Sequence, residues 1–181
     1  DRFIGMIDLT QSNLFGTGQY IKLKSEFGTK STIYELSFTD PWFMDKEVSM
    51  TTSIFKTKRE YPDFTRKAEG FSLGFGKAFM EYWRANATYS YEIKNILDIK
   101  PSASSQIQRQ AGESTTSRIS PSLVRDTRDY FLDPHEGSRN ALYMDFAGLG
   151  GTNKFFKSLF DSAWFFPIGS TTFAARGRVG Y

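Results

Sequence analysis

The densest run of groups able to do chemistry lies at Arg125–Glu136, where Asp126, Arg128, Asp129, Asp133, the lone His135 and Glu136 fall within twelve residues. Carboxylates this close could hold a hard cation such as calcium, which takes several oxygen ligands. The acidic alternation of a calcium loop is absent, however, and Arg125 and Arg128 oppose the negative charge. The spacing therefore predicts an arginine–aspartate network that fixes a long turn, with Pro134 and Gly137 setting its backbone. His135 has no second histidine and no cysteine to work with. It predicts neither a nucleophile triad nor a zinc site. A second candidate is NLFGTGQ at 13–19. A phosphate cradle would need a helix after its glycines, but an alternating, strand-like pattern follows. Gly16 and Gly18 are then turn residues free to take positive φ, with Asn13 closing the turn through its side chain. No catalytic, cofactor or metal constellation emerges, and the expectation is a protein that is not an enzyme.

The elements that must position these turns are read from alternation. Ile21, Leu23 and Phe27 alternate with Lys22, Lys24 and Glu26. Phe71, Leu73 and Phe75 alternate with Ser72, Gly74 and Gly76, and Trp83, Ala85, Ala87, Tyr89 and Tyr91 with polar partners. Period two puts one set on each face of a strand. About ten strands result, near 2–12, 19–28, 32–39, 47–58, 66–77, 82–93, 117–125, 139–149, 154–166 and 171–181. No stretch of ten residues carries a helical period. A tilted membrane strand needs roughly 9–11 residues, whereas strands in soluble sheets average nearer 5–6. The predicted strands are of the longer kind.

The connections alternate between two types. Those at 13–19, 40–47, 78–82, 126–139 and 167–170 are short or patterned, all but 78–82 with Gly, Pro or Asp; those at 28–31, 59–66, 94–116 and 150–153 are polar. The low-complexity segment 94–116 predicts a long loop at one end. Trp42, Trp83 and Trp164 all border the first type. Tryptophan prefers the water–lipid boundary, so this end predicts an aromatic girdle.

Composition agrees. With 18 Phe and 9 Tyr, 17% of the 181 residues are aromatic, yet mean hydropathy is only -0.43. Lipid-facing and lumen-facing residues that cancel in the average give this combination. The net charge of +3, from 23 basic and 20 acidic residues, is an ordinary balance. No basic run interleaved with aromatics predicts nucleic-acid binding. No apolar run approaches the roughly 18 residues of a membrane helix. Asp1 leads straight into a strand pattern without a signal peptide, so the sequence is expected to begin after processing or inside a longer protein, the second being the favoured expectation.

On the last three strands the pattern turns Asp145, Lys157, Asp161, Arg176 and Arg178 inward as lumen charges. It turns Leu142, Met144, Phe146, Phe156, Phe160, Trp164, Phe173 and Val179 outward. Inward charges predict a ladder of cross-strand ion pairs; a polar track for a substrate chain or ion is the functional alternative. Pro121 lacks a ladder donor and predicts a bulge or bend. The fold class is thus all-β, an antiparallel transmembrane β-barrel wall.

Two turns and one strand end carry a family resemblance. SNLFGTGQ at 12–19 resembles the D-N-x-x-G-T-G turn of the outer-membrane protein assembly factors, the BamA-type insertases or bacterial surface antigen family. DTRDYFLDPHEGSR at 126–139 resembles that family's D-T-R-D-x-x-x-x-P-x-x-G turn. TDPWF at 39–43, with Asp40 and Pro41, resembles its T-x-P-x-F strand end. Order and spacing match as well, over essentially the whole chain. The resemblance implies the second through eleventh strands of a sixteen-stranded barrel, within the single domain 1–181. It puts the patterned turns in the periplasm and the polar loops outside. It also implies a bacterial outer-membrane location and a role in folding and inserting other outer-membrane proteins. The implied partners are outer-membrane lipids and lipopolysaccharide, client proteins and accessory lipoproteins, without cofactor. A passive pore and a polypeptide-secretion barrel of the same superfamily are the alternatives. The POTRA domains, the first and last strands and the loop carrying V-R-G-F/Y would lie outside these residues.

Overall fold

A computed structural model describes residues 3–181. Ten strands follow one another: β1 (Ile4–Leu14), β2 (Gln19–Gly28), β3 (Ser31–Asp40), β4 (Ser49–Glu60), β5 (Thr65–Met80), β6 (Trp83–Leu97), β7 (Gly112–Asp126), β8 (Gly137–Gly151), β9 (Phe155–Ile168) and β10 (Thr171–Gly180). A 3-10 turn at Phe43–Asp45 and a short helix α1 (Ser105–Arg109) interrupt the connections. All ten strands form one sheet in chain order, each antiparallel to the next. The predicted start at residue 2 lies outside the described residues.

The alternation becomes two faces. Register pairs Phe71 with Ile54 and Tyr91, Phe75 with Met50 and Ala87, and Phe160 with Leu142 and Val179. Large apolar side chains therefore run across one face from strand to strand. They are not stacked against a second layer: Phe71, Phe75 and Phe160 stay 42%, 40% and 46% exposed. Buried apolar residues are few and small, Ala68, Ala103 and Ala141 with Ile96. A water-soluble domain of this length would bury a larger apolar core. The opposite face is mostly polar or small, with Ser53 paired to Ser72, Ser72 to Ser90, and Ser90 to Arg118. Ser53 and Ser72 bond side chain to side chain at 2.7 Å.

Several boundaries differ from those the sequence predicts. The loop expected at 94–116 shortens to 98–111, because Thr65 pairs with Leu97 and Ile96 with Gly112. Lys94, Asn95, Glu113 and Ser114 belong to the ladder although both of their faces are polar. Backbone pairing continues there after alternation has ended. The β5–β6 turn shrinks from 78–82 to Glu81 and Tyr82 for the same reason. Pro121 also behaves differently from expectation. The β7–β8 register is unchanged across it, although the pairs at Ser120 and Pro121 are missing from that ladder. The true shift lies between Thr116 and Arg118, opposite the glycine-rich end of β8.

Candidate functional site

Because the sheet is a meander, all five patterned connections share one end and the polar ones share the other. At the patterned end, Asn13 has φ 59° and its Oδ1 accepts from the Gly18 N–H at 2.7 Å. Gly16 and Gly18 have φ 79° and 75°. Next along the edge, Asp40 is buried. Its Oδ1 accepts from the Trp42 N–H at 2.9 Å and its Oδ2 from Gln19 Nε2 at 2.7 Å. One carboxylate thus ties the start of β2 to the turn that begins at Pro41. Sequence reading missed Gln19, whose partner lies 21 residues away.

The long β7–β8 turn is held by its own carboxylates. Arg128 donates from Nε to Asp126 Oδ1 at 2.8 Å and from Nη2 to Oδ2 at 2.7 Å. This fork-to-fork pair is a strong charge-assisted geometry. The same guanidinium lies 5.4 Å over the Phe131 ring. Asp129 Oδ1 accepts the N–H groups of His135 and Glu136 at 2.9 and 3.1 Å. The Glu136 N–H bond is the main cause that holds Asp129 below the usual carboxylate range, and pairing with Asp126 holds Arg128 higher. Pro134 sits just before His135, and Gly137 opens β8 at φ 97°. Among the described residues, no group of three or more His, Asp or Glu could hold a metal ion.

Trp42 lies in the β3–β4 turn and is 56% exposed. Trp83 pairs with Arg125, and Trp164 with Ser138 and Ala175, on the apolar face at this same end. Trp164 stacks on Phe166 with ring centroids 6.3 Å apart, and its Nε1 donates to Ser162 Oγ at 2.9 Å.

The predicted lumen charges do share the polar face, but they are not one ladder. Asp161 is buried and accepts from two arginines. Arg176 donates to it at 2.9 and 2.5 Å, and Arg178 at 3.1 and 2.6 Å. Asp145 accepts from Ser120 Oγ at 2.5 Å and lies 3.8 Å from Arg118 Nε. Lys157 stands opposite Asp145 in register, yet its ammonium lies 4.8 Å over the Phe155 ring instead. Arg118 and Ser120 were not among the predicted charges; their even spacing on β7 was the available signal.

A family model for the Omp85 superfamily domain matches residues 13–181. The chain belongs to the Omp85 superfamily. Its curated relatives include the outer membrane protein assembly factor BamA of Nitratidesulfovibrio vulgaris, 27% identical over 151 residues, which are 82% of this chain and 19% of that protein. BamA of Neorickettsia risticii is 26% identical over 174 residues, 92% of this chain and 23% of that one. The human sorting and assembly machinery component 50 homolog is 24% identical over 159 residues, 86% and 34% of the two chains. The crystal structure of BamA from Haemophilus ducreyi lacking POTRA domains 1–3 superposes with a TM-score of 0.78 at 19% identity, covering 99% of this chain and 40% of that one. The ten strands therefore have the fold of an Omp85 barrel wall. They span about a fifth of the BamA relatives and a third of the sorting-component one.

Proposed function

We propose that this Omp85 segment is the membrane wall of an outer-membrane assembly factor that helps other β-barrel proteins fold and insert. The observation that carries the reading is the single ten-stranded meander with one lipid-compatible and one wet face, in a chain whose family match runs from 13 to 181. The relatives named for outer-membrane assembly and for sorting and assembly support it.

The role is mechanical and not enzymatic. The wall holds a distorted lipid boundary, and an unpaired strand edge elsewhere in the whole barrel templates incoming strands by backbone hydrogen bonding. The Arg128–Asp126 pair and the Asp40 bridge are structural, keeping the periplasmic turns rigid while the wall is under lateral load. The partners are outer-membrane lipids and lipopolysaccharide, client strands, and accessory lipoproteins that dock on the periplasmic turns. The location is the bacterial outer membrane.

The test uses the full-length protein reconstituted in liposomes with an unfolded outer-membrane client. Accelerated appearance of folded, protease-protected client over empty liposomes is the expected result. No acceleration, together with steady ion conductance, would replace this reading with a passive pore.

A further inference from the structure

The polar face is unevenly charged. At the end that holds the patterned turns, register lays two neighbouring rows of side chains across it. One row runs Asp126, Arg139, Ala163 and Arg176. The next runs Arg84, Val124, Ala141, Asp161 and Arg178. With Arg128 from the β7–β8 turn, five arginines meet the two carboxylates of Asp126 and Asp161 there. Both carboxylates are already occupied. Asp126 takes the fork of Arg128, and Asp161 is shared between Arg176 and Arg178. Arg139 makes no ion pair among the described residues. Its guanidinium donates instead to the neutral Tyr143 hydroxyl at 2.9 Å. Farther along the same face, Asp145 is engaged by Ser120 and faces Arg118, so it offers these rows no counter-charge.

A cavity of about 550 Å³ opens among these groups, lined by Arg128, Arg139, Arg176, Asp161, Phe131 and Phe165. Phe165 shares the polar face with Asp161, two pairs away on β9. Phe131 reaches the same cavity from the β7–β8 turn, so that turn folds across the polar side of the sheet. Phe131 is 73% exposed, although the Arg128 guanidinium lies over its ring. The turn's remaining carboxylates, Asp129, Asp133 and Glu136, are not among the lining groups. The lining therefore combines a surplus of guanidinium forks with two aromatic rings. A carboxylate gains most from such a fork, because two parallel charge-assisted bonds form at once. An aromatic side chain gains from rings it can meet edge-on or offset.

We propose that this cavity binds an extended client segment bearing acidic and aromatic side chains, with a carboxylate held between Arg139 and Arg176 and a ring between Phe131 and Phe165. A small inorganic anion would satisfy the arginines and leave both rings uncovered, so a peptide fits the lining better. The bound segment lies across β8–β10 and is read by its side chains. It adds no strand to the sheet, which separates this site from any templating edge. The inference rests on the assembly reading given above, which makes the polar face the lumen and its ligand a client chain.

Fluorescence anisotropy tests it on the full-length protein in detergent. The probe is a short labelled Gly/Ser peptide bearing two Glu and one Phe, compared with its Gln-for-Glu and Ala-for-Phe analogues. The acidic aromatic peptide is expected to bind more tightly than either analogue. Arg139→Gln should weaken it about tenfold, as for loss of a hydrogen bond to a charged group. Lys24→Gln removes the same charge from the polar face of β2 and should leave binding unchanged. Equal binding of the Gln analogue overturns the carboxylate contact, and equal binding of the Ala analogue overturns the aromatic one. Equal affinity in Arg139→Gln and the wild type overturns the site. Heat-modified gel mobility reports whether the variant is folded. Should it misfold, a photo-crosslinking residue in place of exposed Phe131 gives the second readout: capture of the acidic peptide over its Gln analogue supports the site, and equal or no capture overturns it. Client insertion into liposomes is measured in parallel, so that a failure of the assembly role and a failure of this site are told apart.

Discussion

Gly137 packs so closely on Thr127 that a Cβ built there would sit 2.2 Å from the Thr127 carbonyl oxygen. The contact is backbone on backbone, so no side chain can swing away to relieve it. At φ 97° the position is also one that L-residues rarely take. Around it, the Thr127 N–H donates to the Ser138 carbonyl at 2.8 Å and the Ser138 N–H to Thr127 Oγ1 at 3.0 Å.

Gly137→Ala is expected to destabilise the wall by at least about 1–3 kcal/mol from backbone strain. The measurement is the urea midpoint of the full-length protein, with cleavage inside 127–136 by added protease as the local readout. Gly177→Ala is the control, since nothing lies within 4 Å of a Cβ there. Equal behaviour of the two variants would refute the close-contact account.

Face assignment gives a sharper contrast. Phe160 and Leu159 are neighbours on β9, one on the apolar face beside Val179 and one on the polar face beside Gly180. Phe160→Arg should cost about 2–4 kcal/mol if it lies near the bilayer midplane, while Leu159→Arg should cost much less. Folding titrations in lipid vesicles decide between them. A larger loss for Leu159→Arg would reverse the two faces.

Asp161 serves two guanidinium groups at once. Removing it leaves both arginines facing each other, whereas removing one arginine leaves the other pair intact. Asp161→Ala should therefore lower the thermal midpoint more than Arg176→Ala or Arg178→Ala. The combination of Asp161→Ala with Arg178→Ala should recover part of the loss. Strict additivity in that double-mutant cycle would contradict a shared network.

The β7–β8 turn should respond to acid. Asp129 is held below its ordinary value of 3.8 by the Glu136 and His135 N–H groups. A depressed carboxylate contributes stability above its unfolded value, which is lost as pH falls through the lower folded value. Amide exchange at His135 and Glu136 should accelerate below about pH 4, beyond the intrinsic trend. Asp129→Asn should show faster exchange already at neutral pH and no such acid step. A wild-type turn whose protection is flat from pH 6 to about 2 would sink the prediction.

Much of the fold was legible because a membrane wall writes its two faces into every second residue. Phe71–Phe75 and Trp83–Tyr91 could be assigned to strands and faces from period alone. The signal stopped where both faces are wet: Lys94, Asn95 and Glu113–Thr115 pair as strand without alternating, so the loop looked longer than it is. Turn chemistry was readable where it is local, as at Asn13–Gly18 and Asp126–Arg128. It was silent where partners come from different hairpins, as with Gln19 and Asp40. Lys157 shows a further limit. Register correctly set it opposite Asp145, but side chains choose among several partners within reach, and Phe155 on its own strand is one of them.

The unbroken order of the sheet bears on how such a wall is built. From β2 to β9, each strand's partners are the ones that immediately precede and follow it along the polypeptide. Among the described residues no strand must wait for a distant mate, and each new hairpin closes only a short stretch of chain, which keeps the entropic cost of closure low. The wall can grow by adding one stave at a time against the last, so threading order and spatial order coincide throughout its construction.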